Sequence, residues 1–387
     1  MKILFCTHEP FWPLTGGGTS GTLAVVNELK RLGHEVTVMA PAHASCEEIE
    51  RRWEITFIPF NPFYMHRNAS LRTLRYILYS LLFVPKLLFF LRQKKVDVLI
   101  GKNVVLTPAL RVAGSLYEIP SFVVTTDLLT LYFGFSKAFF QKWMARLIAL
   151  EAWLLSWHDR IFMISPEMAE RVEKERPILA KKICVNGDGV DLSFFCREKI
   201  DVKKMDDVRK QFCGEGLLAV YHGTIEPHHG QEELLAIVQQ ALAVETSLHF
   251  VIIAGGKDYS AVKRELKRDR VHCLDFMSQE ALLPYLAAGD VGFLPYPPDP
   301  STNILYPYKF LEYYALGLPV VSFRLKALFR MFEKKSDVRF AETVNEFAEA
   351  LVELARQKRH REWDEDFSDH FSWQAVVKPI HNALKYA

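Results

Sequence analysis

Paired cysteines are absent from this chain. Its six cysteines (Cys6, Cys46, Cys184, Cys196, Cys213 and Cys273) lie far apart and form no C-x-x-C pair. That excludes a disulfide framework and a thiolate zinc site, and it reads as reduced, intracellular thiols. Long apolar runs are also scarce. The start, MKILFCTHEP, breaks after four apolar residues, too few for a secretory leader. The most apolar stretch, Tyr76–Leu91, is 16 residues long and carries Pro85 and Lys86 inside it, whereas a spanning helix needs about 20 apolar residues. No transmembrane span is expected. There is no low-complexity tract, no repeat, no G-x-S-x-G elbow and no Walker Gly-Lys-Ser/Thr, so neither an α/β-hydrolase triad nor a P-loop is indicated. Ser165, His158 and Asp159 make no convincing hydrolase set.

What is present is a globular composition, 50% hydrophobic and 24% charged. A chain of 387 residues exceeds one ordinary core and implies about two domains. The net charge of +2 points by itself to neither nucleic acid nor membrane, and no nucleic-acid partner is expected. The distribution says more: from Arg67 to Arg146 there are 12 Lys/Arg against 3 Asp/Glu, so the rest of the chain is net acidic. Within that region Ile77–Leu91 is apolar all round, which usually marks a buried helix. With Arg67, Arg72, Arg75, Arg92, Lys94 and Lys95 flanking it, a helix lying on an anionic membrane surface through residues 67–95 competes with that reading.

Short apolar strands alternate with helical patterns along the chain. KILFC, EVTVMAP, VDVLIG, SFVVTTD and RIFMIS read as strands, and the first is followed by a glycine-containing loop and the helix TLAVVNELKRLG. The pattern restarts with LLAVYHG, LHFVIIAGG, RVHCLDF, DVGFLPY and PVVSF. Such alternation implies an α/β chain with two doubly wound parallel sheets, and open sheets of this kind bind ligands beyond the carboxyl ends of their strands. The expected layout is a first Rossmann-like domain over residues 1–195, completed by a C-terminal helix over 372–387, a linker over 196–214 and a second domain over 215–371.

Three segments carry candidate chemistry. Gly16-Gly17-Gly18-Thr19-Ser20-Gly21 lies between strand one and helix one, where glycine lets backbone approach a ligand and a helix N-terminus favours anions; anion binding rather than nicotinamide binding is expected. His222-Gly223-Thr224 to His228-His229-Gly230 occupies the matching turn of the second half. Adjacent histidines there suit phosphate contact better than a closed metal site, with a plain surface turn as the alternative. YPYKFLEYYALGLPVV, Tyr306–Val321, would put Lys309 and Glu312 in the first turns of a helix. As neighbours three apart they would serve as a local ion pair on a core helix, unless they face a ligand.

In their order and spacing these segments resemble the retaining glycosyltransferases of the GT-B fold, in particular family 4 and the related glycosyl transferases group 1. RLGHEVTVMAP, DRIFMISPEMAERV, NGDGVDLSFF, YHGTIEPHHGQEELL, VIIAGG, YKFLEYYALGLPVVS and FSWQAVVKPIHNAL follow the family from end to end. The resemblance implies two facing Rossmann-like domains with a cleft between them. It also implies transfer of a sugar from a nucleoside-diphosphate sugar to a saccharide or lipid-linked acceptor, with retained configuration and no metal or other cofactor. Glu312 would take the ribose hydroxyls. The amides near Tyr308 and Lys309 would face the diphosphate and sugar, and Lys309 would supply charge. Gly16, Gly17 and Gly18 would close on the phosphates, Gly223, Thr224 and His229 would form the phosphate turn, and Phe276 and Met277 would meet the base. Thr126 and Asp127 stand on the acceptor side, with Asp127 counted among the catalytic groups beside Glu312 and Lys309. Departures from the family are Thr224 and His229 in place of an Arg and a Lys, Ile304 in place of a glutamate, and Thr126 in place of a histidine. A nucleotide-sugar epimerase or hydrolase on this fold, or a non-catalytic sugar-nucleotide binder, are the alternatives. The expected location is cytoplasmic, with peripheral contact at the inner membrane face.

Overall fold

The computed structural model describes residues 1–10, 17–42, 45–61, 72–128, 137–225, 229–256, 259–357 and 364–387. Its chain divides into two units, Met1–Gly189 with Trp373–Ala387, and Val190–Ser372.

The first unit runs β1 (Lys2–Cys6), α1 (Gly17–Arg31), β2 (Glu35–Ala40), α2 (Cys46–Trp53), β3 (Thr56–Pro59), α3 (Arg72–Gln93), β4 (Val98–Lys102), α4 (Thr107–Tyr117), β5 (Ser121–Thr125), α5 (Lys137–Leu155), β6 (Arg160–Met163), α6 (Pro166–Glu175) and β7 (Ile183–Val185). The strands form a seven-stranded sheet of order β3-β2-β1-β4-β5-β6-β7, and every described pairing is parallel. Central strands are buried on both faces, so they read as continuous apolar runs rather than alternating ones; Val98, Leu99 and Ile100 are fully buried. The described part of the glycine segment differs from the expected loop. Gly17–Gly21 already lie inside α1, and a Cβ on Gly18 would meet Glu9 Oε2 at 2.6 Å. A larger residue there would have to displace the end of the Glu9 side chain.

The second unit continues with α7 (Val202–Phe212), β8 (Leu217–Thr224), α8 (Gln231–Val244), β9 (Leu248–Gly255), α9 (Tyr259–Glu265), β10 (Val271–Asp275), α10 (Gln279–Ala288), β11 (Val291–Leu294), α11 (Tyr308–Ala315), β12 (Val320–Phe323), α12 (Lys326–Phe332), β13 (Val338–Ala341), α13 (Val344–Gln357) and α14 (Glu365–Phe371). Its six-stranded parallel sheet has the order β10-β9-β8-β11-β12-β13. Residues 196–214, read from sequence as a linker, instead hold α7, which belongs to this unit. Asp201 caps it, Val208 and Phe212 are buried, and Arg209 reaches Asp290 at 3.1 Å and the carbonyls of Ala288 and Gly216 at 2.7 and 2.9 Å. The polar sequence is the solvent face of a packed helix.

The last helix, α15 (Trp373–Leu384), returns to the first unit. His381 Nδ1 stands 2.9 Å from His34 Nε2, and Gly189 leaves room for the Trp373 ring. His158 is buried, with Nε2 2.9 Å from Thr107 Oγ1 and Nδ1 3.2 Å from Ser121 Oγ, while Ser165 caps α6. Both are committed to structure, and neither joins a hydrolase triad.

The apolar segment forms α3, a helix of 22 residues extending beyond the apolar run at both ends. By length and composition its Tyr76–Gln93 portion is long enough to cross a membrane. One face packs into the first unit: Tyr79, Phe83, Leu87 and Leu91 recur every fourth residue and are buried. The opposite face is not buried. Ile77, Leu81 and Phe89 are 54%, 60% and 61% exposed. Arg67 lies outside the described residues, as do the side chains of Arg72 and Arg75.

Candidate functional site

In each sheet the strand order reverses direction at one place, between β1 and β4 in the first unit and between β8 and β11 in the second. Loops diverge there, leaving a crevice at the carboxyl ends of the strands. Gly223, Thr224, Lys309 and Glu312 lie near the second of these places and Gly18 near the first, whereas Phe276 and Met277 follow the edge strand β10.

In the second unit, β8 ends in His222, Gly223 and Thr224. Gly223 has φ of +110° and passes directly under the Lys309 side chain, whose Cε would lie 2.1 Å from a Cβ at that position. Lys309 belongs to the first turn of α11. The N-cap there is Pro307, which provides no side-chain cap, so the amide dipole end of the helix is left to whatever lies beyond it. Lys309 Nζ donates to Tyr296 Oη at 2.6 Å and sits 5.2 Å from the centre of that ring and 6.0 Å from that of Tyr221. Among the described residues it has no carboxylate partner.

Glu312 comes one turn later and is buried. It does not pair with Lys309. Its Oε2 lies 3.0 Å from His222 Nε2, but the contact is not aligned as a hydrogen bond, and both atoms lack a hydrogen-bond partner among the described residues. Tyr313 holds this corner in place. Its hydroxyl accepts the His222 backbone N–H at 3.1 Å, and its ring meets the imidazole edge-on. Lys309 is half-buried with no carboxylate beside it, and the buried Glu312 has an Oε2 that His222 approaches without a hydrogen bond; a buried carboxylate oxygen left so is costly. Their placement at the switch point makes an external ligand the natural partner for both: anionic beside Lys309 and hydroxyl-bearing beside Glu312.

His229 stacks on Tyr296, with ring centres 4.8 Å apart and planes 13° off parallel. Its Nδ1 is 3.1 Å from the Thr224 carbonyl oxygen, so Nδ1 carries the proton and Nε2 donates only when the ring is charged. Met277 packs on the core of the unit, and Phe276, beside Gly255 at the end of β9, is 62% exposed. Tyr308 opens α11. Ile304, at the family's glutamate position, is buried in a short turn and presents no polar group. His228 and Gly16 lie outside the described residues; Gly17 and Gly18 begin α1.

In the first unit the structure adds residues the sequence reading passed over. Lys102, at the end of β4, is almost wholly buried. Its Nζ donates to Glu9 Oε2 at 2.9 Å, to Thr22 Oγ1 at 2.9 Å and to the Gly18 carbonyl oxygen. Asn103 Nδ2 reaches Glu9 Oε1 at 3.4 Å. Asn103 Oδ1 accepts from the Thr126 and Asp127 backbone N–H groups at 2.8 and 3.1 Å. Burial and the Glu9 carboxylate push Asp127 up to about 6, partly offset by Lys102 and by hydrogen bonds with Thr126 and Asn103. Burial also pushes Glu9 upward, but Lys102, His8 and the Lys102 hydrogen bond outweigh it and hold that carboxyl below its usual range.

These features define a protein of two Rossmann-like units, with Lys309 and Glu312 placed near the β8–β11 switch point of the second. Two family models match in succession: Glycosyltransferase Family 4 over residues 15–194 and Glycosyl transferases group 1 over residues 216–357. The chain belongs to these GT-B glycosyltransferases. Gly16, Gly18 and Gly21 also keep the dinucleotide spacing G-x-G-x-x-G; it is the family matches, not this spacing, that separate the segment from a nicotinamide site. No curated protein matches the chain by sequence. Among solved structures it is similar to Anabaena HepE in complex with UDP and glucose (14% identity, 100% of each chain, TM-score 0.73). It is similar also to sucrose-phosphate synthase from Thermosynechococcus elongatus (14%, 100% of this chain and 99% of that one, 0.72) and to the lipopolysaccharide outer core galactosyltransferase WaaB (15%, 100% and 99%, 0.66). At these identities the likeness establishes the fold.

Proposed function

We propose that the protein transfers a sugar from a nucleoside-diphosphate sugar to a saccharide or lipid-linked acceptor, with retention of configuration and without a metal ion. One observation carries the reading. On α11, Lys309 lacks an anion and Glu312 lacks a hydrogen-bond partner among the described residues, both at the β8–β11 switch point. Glu312 accepts the ribose hydroxyls. Lys309, with the Tyr308 and Lys309 amides, the Gly223–Thr224 turn and a protonated His229, stabilises the charge that develops on the departing diphosphate. Charge stabilisation and positioning are what such a reaction needs most. Phe276 and Met277 flank the base, and Thr126 and Asp127 receive the acceptor in the first unit.

HepE has been solved with UDP and with UDP-glucose, which makes uridine nucleotides the first sugar-donor candidates here. A thermal-shift screen of UDP, ADP, GDP and their glucose conjugates tests the reading, because a ligand binding only the folded state raises the melting point by mass action. One nucleotide series is expected to stabilise the protein; no shift with any of them contradicts the proposal. Transfer without metal is checked by adding EDTA to the assay, with no loss expected.

The acceptor side would work at an anionic membrane surface in the cytoplasm. The exposed apolar face of α3, with Arg92, Lys94 and Lys95 at its end and no acidic residue along its length, supports that location. Apolar insertion and attraction of basic groups to anionic lipid act together in such helices. A second reading, a non-catalytic sugar-nucleotide binder, is favoured by Thr224 and His229 standing where the resemblance places Arg and Lys. Binding without turnover of any nucleotide sugar would select it.

A further inference from the structure

A lysine stem is flexible, and a cation that must be ordered when its ligand arrives binds less tightly than one already held in place. Lys309 is already held, and the residue that holds it comes from a different element. Tyr296 stands two residues beyond β11 and is buried, and its hydroxyl accepts a hydrogen bond from Lys309 Nζ at 2.6 Å. An ammonium has three donors. Tyr296 takes one of them, which directs the other two away from the phenol.

The tyrosine is itself fixed from the side of the turn before α8. The His229 ring stacks on it, with centres 4.8 Å apart. Next to His229, Gly230 has φ of +77°, and a Cβ there would collide with the Pro295 carbonyl oxygen. That obstacle is backbone and the φ suits glycine, so this residue lets the turn close onto the segment that carries Tyr296. Tyr221 of β8 ties the turn down from below. Its hydroxyl donates at 3.1 Å to the Thr224 carbonyl oxygen, the atom that also accepts from His229 Nδ1.

We propose that Tyr296 is a positioning residue of the diphosphate site: its hydroxyl aims Lys309, and its packed ring keeps that aim fixed before a ligand arrives. Tyr296 acts through Lys309 and contributes no charge of its own. The inference rests on the proposed reading of Lys309 as the diphosphate-binding cation.

Tyr296→Phe separates aim from packing, because it keeps the ring under His229 and removes only the acceptor for Lys309. Calorimetry on the full chain compares uridine with UDP, adenosine with ADP and guanosine with GDP. The proteins are wild type, Tyr296→Phe, Lys309→Met and the double variant. In wild type one diphosphate is expected to bind tighter than its nucleoside. Tyr296→Phe should lower that preference by about 3- to 10-fold, as for one lost hydrogen bond, with nucleoside affinity unchanged. In the Lys309→Met background the same change should lower it no further, the non-additivity expected of residues that act through one contact. A tyrosine that serves only the fold would weaken nucleoside and diphosphate alike, and equally in both backgrounds. A wild type without diphosphate preference, or a preference that Lys309→Met leaves intact, overturns the reading of the site and this inference with it. A preference that Lys309→Met removes but Tyr296→Phe leaves intact, or lowers equally in both backgrounds, overturns this inference alone.

Discussion

Lys309 and Glu312 stand one turn apart on α11 and take different partners. Lys309 Nζ donates to the Tyr296 phenol at 2.6 Å, and Glu312 Oε2 faces His222 Nε2 at 3.0 Å without a hydrogen bond. Three residues apart on a helix, the two charges could have paired with each other. The helix holds them apart, and in the proposed function this separation leaves both side chains to a bound nucleotide sugar.

Glu312 should therefore matter to binding and not to folding. Glu312→Ala removes a buried carboxylate that makes no hydrogen bond among the described residues and only approaches His222, so the melting point should change little. Hydrogen bonds to a charged group contribute about 1.5–3 kcal/mol, so affinity for the bound nucleotide should fall by about 10- to 150-fold. Calorimetry for the fast-exchanging ligand and differential scanning for stability give the two readings. A large drop in melting point would assign Glu312 to the core instead.

Asp127→Asn should act on the acceptor and spare the nucleotide. Transfer is expected to fall by about 10- to 100-fold from the loss of a charged hydrogen-bond acceptor, while nucleotide affinity stays at the wild-type value. Equal rates in the variant and the parent would remove Asp127 from the acceptor site. Wild-type transfer should also weaken as pH falls through about 6, where the Asp127 carboxyl takes up its proton.

Acid should destabilise the first unit. Burial, with Lys182 and Arg111 nearby, pushes His158 down to about 3 from an unfolded value near 6.5. A lowered histidine pKa means the unfolded chain binds the proton more readily. The stability it confers is complete above pH 6.5 and is lost as pH falls toward 3, at about 1.4 kcal/mol per pH unit. His34, lowered chiefly by burial and then by the N-terminus and His381, adds a loss of the same sign. Urea midpoints at pH 7 and pH 5 measure the sum, and the slope should shrink in His158→Gln.

The outer face of α3 gives a test of the membrane location. Leu81→Glu with Phe89→Glu changes two exposed side chains that make no part of the buried face. The double variant should keep its melting point and lose sedimentation with vesicles containing phosphatidylglycerol. Wild type should bind such vesicles and not pure phosphatidylcholine. Unchanged sedimentation of the variant would return the face to plain solvent exposure.

The alternation of strands and helices was legible in the sequence because central parallel strands are unbroken apolar runs of four to eight residues. β1 and β9 are examples. α7 was not legible, since only Val208 and Phe212 of its eleven residues are buried and a solvated helix has the composition of a linker. Lys309 and Glu312 could be picked out as charges in an apolar segment, but their lack of mutual pairing could not. The partners that explain it, His222 and Tyr296, are distant or separated from them by a loop. Glu9, Lys102 and Asp127 were harder still. Each stands at or just beyond the end of a different strand, and only the sheet order β1-β4-β5 brings those ends together. A charged residue at or near the end of an apolar strand is a weak signal singly, yet three of them at neighbouring strand ends would have flagged the corner.

The central claim is that Lys309 supplies the charge for a diphosphate. It is tested most directly by titration calorimetry of uridine, UMP and UDP, with the ADP and GDP series alongside, against wild type and Lys309→Met. Wild type is expected to bind one diphosphate clearly tighter than its nucleoside. In Lys309→Met that preference should fall by about tenfold or more, as for a lost charge-assisted contact, with nucleoside affinity unchanged. A diphosphate preference that survives Lys309→Met in full would contradict it.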